Sequence, residues 1–141
     1  MKHLVTILLI SLISFSGFAQ KKVAKIEFDQ TTIDYGTIEK GANGVRVFKF
    51  KNTGDAPLII NNVRSSCGCT IPKKPKDPIM PGKTGEIEVK YDTKRVAPIR
   101  KTITVMSNAE NEPTVALKIK GNVVNPGNNS VLKKKKSIIE Q

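Results

Sequence analysis

Two cysteines one glycine apart, Cys67-Gly68-Cys69, have the type and spacing to do chemistry. Three chemistries are open to them. The first is a local disulfide. Residues i and i+2 of an extended strand point to the same side, with Cα atoms near the upper limit for a bridge. A bridge therefore demands a tight bend, which Gly68 permits. It would close a very small loop and remove little unfolded-state entropy, making it a poor staple and a better redox element. The second is a soft-metal site, such as one for Cu(I), using both thiolates with Met80 or Met106. Two cysteines are too few for a closed zinc site. The third is thiol–disulfide exchange, with Arg64, Lys73 and Lys74 favouring the thiolate. The spacing differs from the Cys-x-x-Cys of thioredoxin-type redox motifs.

The N-terminus bears on which of these applies. Met1-Lys2-His3 is a short basic start, Leu4 to Phe18 is apolar or small, and Gly17-Phe18-Ala19 suits signal peptidase. The apolar run is short for a membrane span, which needs about 20 residues. Residues 1–19 read as a signal peptide, with cleavage after Ala19 and an exported, periplasmic or extracellular product. No cysteine at the cleavage point supports a lipid anchor. Export into an oxidising compartment favours the disulfide. It also removes His3, the one histidine of the chain, and with it His-dependent triads, general bases and metal ligands. Glu86 and Glu88 share one face of an expected strand and read as a solvated surface rather than an acid–base pair. No enzymatic activity and no cofactor are implied.

The elements that must position the cysteines are strands. Apolar residues recur with period two through Ile26 and Phe28, then Ile33 and Tyr35, Ile87 to Tyr91, Ile99 to Val105, and Val115 to Val123. Val45 to Phe50 is apolar on both faces, as in a central strand. Leu58 to Val63 makes another. Turn chemistry separates the runs: Gly36 after Tyr35, Asn52-Thr53-Gly54-Asp55 before Pro57, and Pro81-Gly82 before Ile87. No segment has helical spacing. About seven strands in about a hundred residues predict an all-β, immunoglobulin-like antiparallel sandwich over residues 20–124, with a small barrel as the alternative. Asn125-Pro126-Gly127 then opens a flexible, lysine-rich tail over 125–141 containing Lys133 to Lys136.

The net charge of +12 invites a nucleic-acid reading. Part of it sits in the signal and the tail, and the domain's cations alternate with acids as on an ordinary solvated face. With 5% aromatic residues and no recognition helix, nucleic acid is excluded as a partner. The tail is expected to touch anionic surfaces weakly. An unknown protein or cell-envelope component is the expected partner.

Several segments in order resemble one family. They are Phe28, Asp34-Tyr35-Gly36-Thr37-Ile38, the run Phe48 to Leu58, Ser66-Cys67-Gly68-Cys69-Thr70, Pro81-Gly82, and Lys101 to Asn108. Together they look like DUF1573, a family of exported bacterial proteins common in Bacteroidetes. The resemblance implies a domain similar to the immunoglobulin-like ASPM–SPD-2–Hydin and major sperm protein types. It implies no enzymatic activity and leaves the role of the Cys-Gly-Cys element open.

Overall fold

The computed structural model describes residues 21–127. The expected signal peptide and residues 128–141 of the expected tail lie outside them. Eight strands and no helix fill the described chain: β1 (Ile26–Phe28), β2 (Thr32–Glu39), β3 (Val45–Asn52), β4 (Ile60–Ser65), β5 (Thr70–Lys73), β6 (Thr84–Tyr91), β7 (Pro98–Ser107) and β8 (Thr114–Val124). One sheet has the order β1-β3-β6-β5 and the other β2-β8-β7-β4.

Strict alternation makes each sheet two-faced. Phe48, Phe50, Ile87 and Val89 point inward from the first sheet, and Ile99, Ile103, Leu117 and Ile119 from the second, all at most 1% exposed. Burying these side chains between two layers is the main stabilising term, at about 25 cal/mol per Å² of apolar surface removed from water. Val45–Asn52 lies between β1 and β6, the central place its two-sided apolar pattern predicts.

The structure departs from the sequence expectation in two respects. An eighth strand, β5, pairs with β6 through Thr70↔Tyr91 to Lys73↔Glu88. Pro72 concealed it, because proline donates nothing to a ladder. An edge strand tolerates it, since the free side requires no donor. The sandwich is also not wholly antiparallel: β2 runs parallel to β8, from Thr32↔Lys118 to Glu39↔Val124. Alternation reveals a strand's faces but not the direction of its neighbour.

A register shift between Asp34 and Thr37 interrupts the parallel pair. Gly36 sits there at φ +62°, opposite Gly121 at φ +150°. A Cβ on Gly121 would press on the Gly36 carbonyl and the Tyr35 side chain, so neither conformation nor space admits another residue readily. The Gly36 N–H donates to Asp34 Oδ1 at 2.7 Å. That bond, opposed by partial desolvation and aided by Lys120, holds the Asp34 carboxyl below its usual range.

Candidate functional site

The β4–β5 connection crosses from one sheet to the other, and the two cysteines occupy it. Their sulfurs are bonded, with Cα atoms 5.4 Å apart. The bend is a turn closed by Thr70 N–H donating to the Cys67 carbonyl at 3.4 Å. Gly68 does not need left-handed freedom there, and a Cβ on it would meet open space. The expectation that glycine is what permits the bend is thus corrected: the turn itself brings the cysteines together. A bonded pair offers no thiolate to a metal or a substrate until it is reduced.

Two of the three cations expected to favour a thiolate are engaged elsewhere. Lys73 pairs with Glu88 at 3.1 Å. Lys74 Nζ donates to the Ile60 carbonyl at 2.7 Å and covers part of the β4 edge. Arg64 lies opposite Thr104 in the second sheet. Met80 stands at the Thr84 end of β6, where Lys83 N–H bonds its carbonyl, whereas Cys69 bonds Asp92 beyond the other end. Seven residue steps of strand separate the two ends, about 23 Å. Met106 pairs with Asn62, four positions along β7 from the Ser66–Thr102 contact. The structure therefore does not bring either methionine to the cysteines. Among the described residues no group of three His, Cys, Asp or Glu side chains is placed to hold a metal ion.

Cys69 borders a groove of about 470 Å³ instead. Gly68 and Cys69 form one wall, the β2–β3 loop at Ala42 and Asn43 another, and Lys90 and Lys94 line it from the β6 side. Ile71 of the edge strand β5 also lines it, and at 60% is the most exposed large apolar side chain of the described chain. A buried tyrosine supports this end. Tyr35 O–H donates to the Gly44 carbonyl at 2.8 Å, its ring meets Tyr91 edge-on at 6.3 Å, and the Arg46 guanidinium lies 4.3 Å from its centroid. Burial pushes the Tyr35 phenol up, with Arg46 opposing and Tyr91 adding. Lys90, Lys94 and Ile71 carried no sequence signal as a group, since three separate elements supply them.

The turn motifs serve the fold at the opposite end. Asn52 is fully buried. Its Nδ2 donates to the Ala56 and Ile79 carbonyls at 2.8 Å each, and its Oδ1 accepts from Gly54 N–H at 3.0 Å and Lys25 N–H at 3.4 Å. Asp55 Oδ1 accepts from Val23 N–H at 3.0 Å. Gly54 is required for close approach, because a Cβ there would collide with the Val23 carbonyl. Pro81-Gly82 turns at φ +77°, and Gly82 N–H bonds the Asn52 carbonyl at 2.8 Å. Sequence reasoning missed Asn111, which both accepts from Ile26 N–H at 2.9 Å and donates to the Ile26 carbonyl at 2.7 Å. One side-chain amide thereby stands in for a neighbouring strand.

Two four-stranded sheets packed face to face, with loops gathered at each end, define an immunoglobulin-like β-sandwich. The chain belongs to DUF1573, described as proteins of unknown function, whose profile matches residues 26–123. No curated protein matches it in sequence. Among solved structures it is similar to a protein of unknown function from Porphyromonas gingivalis, at 18% identity and TM-score 0.65, covering 77% of this chain and 51% of that one. This chain thus spans about half of that protein. It is also similar to the ASH/PapD-like domain 7 of human CEP192, at 11% identity and TM-score 0.60, covering 73% and 87%. A third likeness is to the CupB2 chaperone of Pseudomonas aeruginosa, at 9% identity and TM-score 0.50, covering 69% and 55%. At these identities the shared property is the fold.

Proposed function

We propose that this protein is an exported, non-enzymatic immunoglobulin-like module that binds another protein or a cell-envelope component. The observation that carries the reading is the free edge of β5, where exposed Ile71 stands beside the loop groove. The open edge of β5 offers carbonyl acceptors, since Pro72 has no N–H and Thr70 N–H is bonded to Cys67, and the neighbouring apolar side chain supplies specificity. The likeness to an ASH/PapD-like domain and to a chaperone supports a protein-binding use of this sandwich. The basic start, apolar run and Ala19 cleavage pattern support export. The test replaces Ile71 with a photo-crosslinking residue in growing cells. It expects a discrete adduct in the envelope or secreted fraction that is absent when the crosslinker is at Thr84. Intact mass from that fraction is expected to begin at Gln20. A full-length chain that stays in the cytoplasm and crosslinks to nothing would sink the proposal.

One observation favours a second reading, that the cysteines are a redox element: Cys69, although it packs against the core, also lines the open groove. Thiol alkylation followed by mass spectrometry of protein taken from cells decides it. A pair that stays fully oxidised under physiological reductants rules this reading out.

A further inference from the structure

The two outward sheet faces treat charge in opposite ways. On the β1-β3-β6-β5 face, opposite signs lie across from one another: Glu27↔Lys51, Lys49↔Glu86 and Lys73↔Glu88. Two of these pairs close to ion-pair distance, at 4.0 and 3.1 Å. On the β2-β8-β7-β4 face, Arg100 lies directly opposite Lys120, and Lys118 follows one rung along, opposite Thr102. Arg64 adds a further cation opposite Thr104. Asp34 lies opposite Lys120 and 3.4 Å from it, and the other exposed acid of this sheet, Glu39, lies beyond the Gly36 bulge opposite Val124. Like charges directly across a ladder repel, and on this second sheet only Lys120 has an ion-pair partner among the described residues, which leaves Arg64, Arg100 and Lys118 without one. On this face lies a shallow depression of about 450 Å³, bordered by Thr32, Arg100, Thr102, Lys118 and Lys120.

We infer that this face is a docking surface for an extended acidic peptide segment of a partner protein, distinct from the β5 edge. Charge complementarity carries the choice, and spacing sharpens it. Lys118 and Lys120 project from one strand two residues apart, about 7 Å. An extended peptide with carboxylates at alternate positions repeats at that interval, so successive carboxylates meet successive rungs. Thr32 and Thr102 border the same depression and bring hydroxyls able to donate to carboxylate oxygens. A glycan would want an aromatic platform. The aromatic side chains of the described chain, Phe28, Phe48, Phe50, Tyr35 and Tyr91, are buried or partly buried, and none borders the depression.

The probe is a fluorescein-labelled peptide of about ten residues alternating Glu and Thr, followed by anisotropy with the whole exported chain. Binding is expected to weaken steeply with added salt. Replacing Arg100→Glu with Lys118→Glu is expected to weaken it roughly tenfold or more. Replacing Lys49→Glu with Lys73→Glu, an equal change of net charge on the other face, is expected to leave it nearly unchanged. Asp34→Asn removes the competing carboxylate yet keeps the acceptor for Gly36 N–H, and is expected to tighten binding several-fold. All four side chains reversed in charge are exposed, and thermal melts confirm that each variant folds. Equal loss in both double variants reduces the effect to net charge and overturns the inference. So does an absence of peptide binding, or preference for anionic phosphatidylglycerol vesicles over the peptide. None of these outcomes touches crosslinking at Ile71, which stands or falls separately.

Discussion

At Asn52 one buried amide satisfies two carbonyls and two N–H groups from three stretches of chain. Removing it leaves those groups unpaired away from water, so Asn52→Ala is expected to cost about 3 kcal/mol in urea denaturation. A loss below about 1 kcal/mol would mean that water replaces the amide without penalty. Tyr35 invites a pH test. Its folded-state phenol titrates above the usual tyrosine value of 10.0, chiefly through burial. Stability from the neutral, buried phenol is therefore fully present below pH 10 and lost as pH rises beyond it. Tyr35→Phe is expected to cost about 1 kcal/mol at neutral pH and to flatten that alkaline decline. An equally steep decline in the Phe variant would assign it to other groups. The residue types at these positions were legible as turn or strand residues. That Asn52 would be buried, or that Gly54 would be needed for contact with Val23, was not, because both depend on a segment more than two dozen positions earlier.

Among the elements, the alternating strands were readable because each has one buried face. β5 was not: it is four residues long, carries Pro72, and puts Ile71 outward. Neither the parallel partnership of β2 and β8 nor the clustering of Arg100, Lys118 and Lys120 could be read, since both are properties of register. Period-two alternation shows that a lysine points outward, but not what lies across from it. Two predictions belong at this scale. Asn111→Ala deprives β1 of its side-chain partner, so amide exchange at Ile26 should accelerate while β7 and β8 keep their protection. Replacing both cysteines by serine removes a very short covalent loop, with an expected cost of no more than about 2 kcal/mol. Exchange should quicken between Ser65 and Ile71 and stay slow in β3 and β6. Global unfolding of the double variant would show instead that the bridge holds the two sheets together.

For the whole molecule, a single core shared by both sheets implies a single cooperative transition. Leu117 is fully buried in β8, a central strand. Leu117→Ala is expected to cost about 3 kcal/mol through lost transfer energy and the cavity left behind. Protection should fall together in β3, β6 and β7, and loss confined to the strands beside β8 would contradict a shared core. Compartment and partner class were argued from the N-terminal pattern and the strand pattern. Their physical basis lies in segments and surfaces that packing does not specify.

The parallel pairing of β2 with β8 has a mechanical consequence. Tension applied between the two ends of the domain pulls the start of β2 and the finish of β8 in opposite directions along their common axis. Once the short β1 has peeled away, the rungs on either side of the Gly36 bulge are loaded together in shear rather than opened one after another. Such an arrangement resists force better than a hairpin unzipped from its end, and a module tethered between an envelope and a partner would extend only after that clamp gives way.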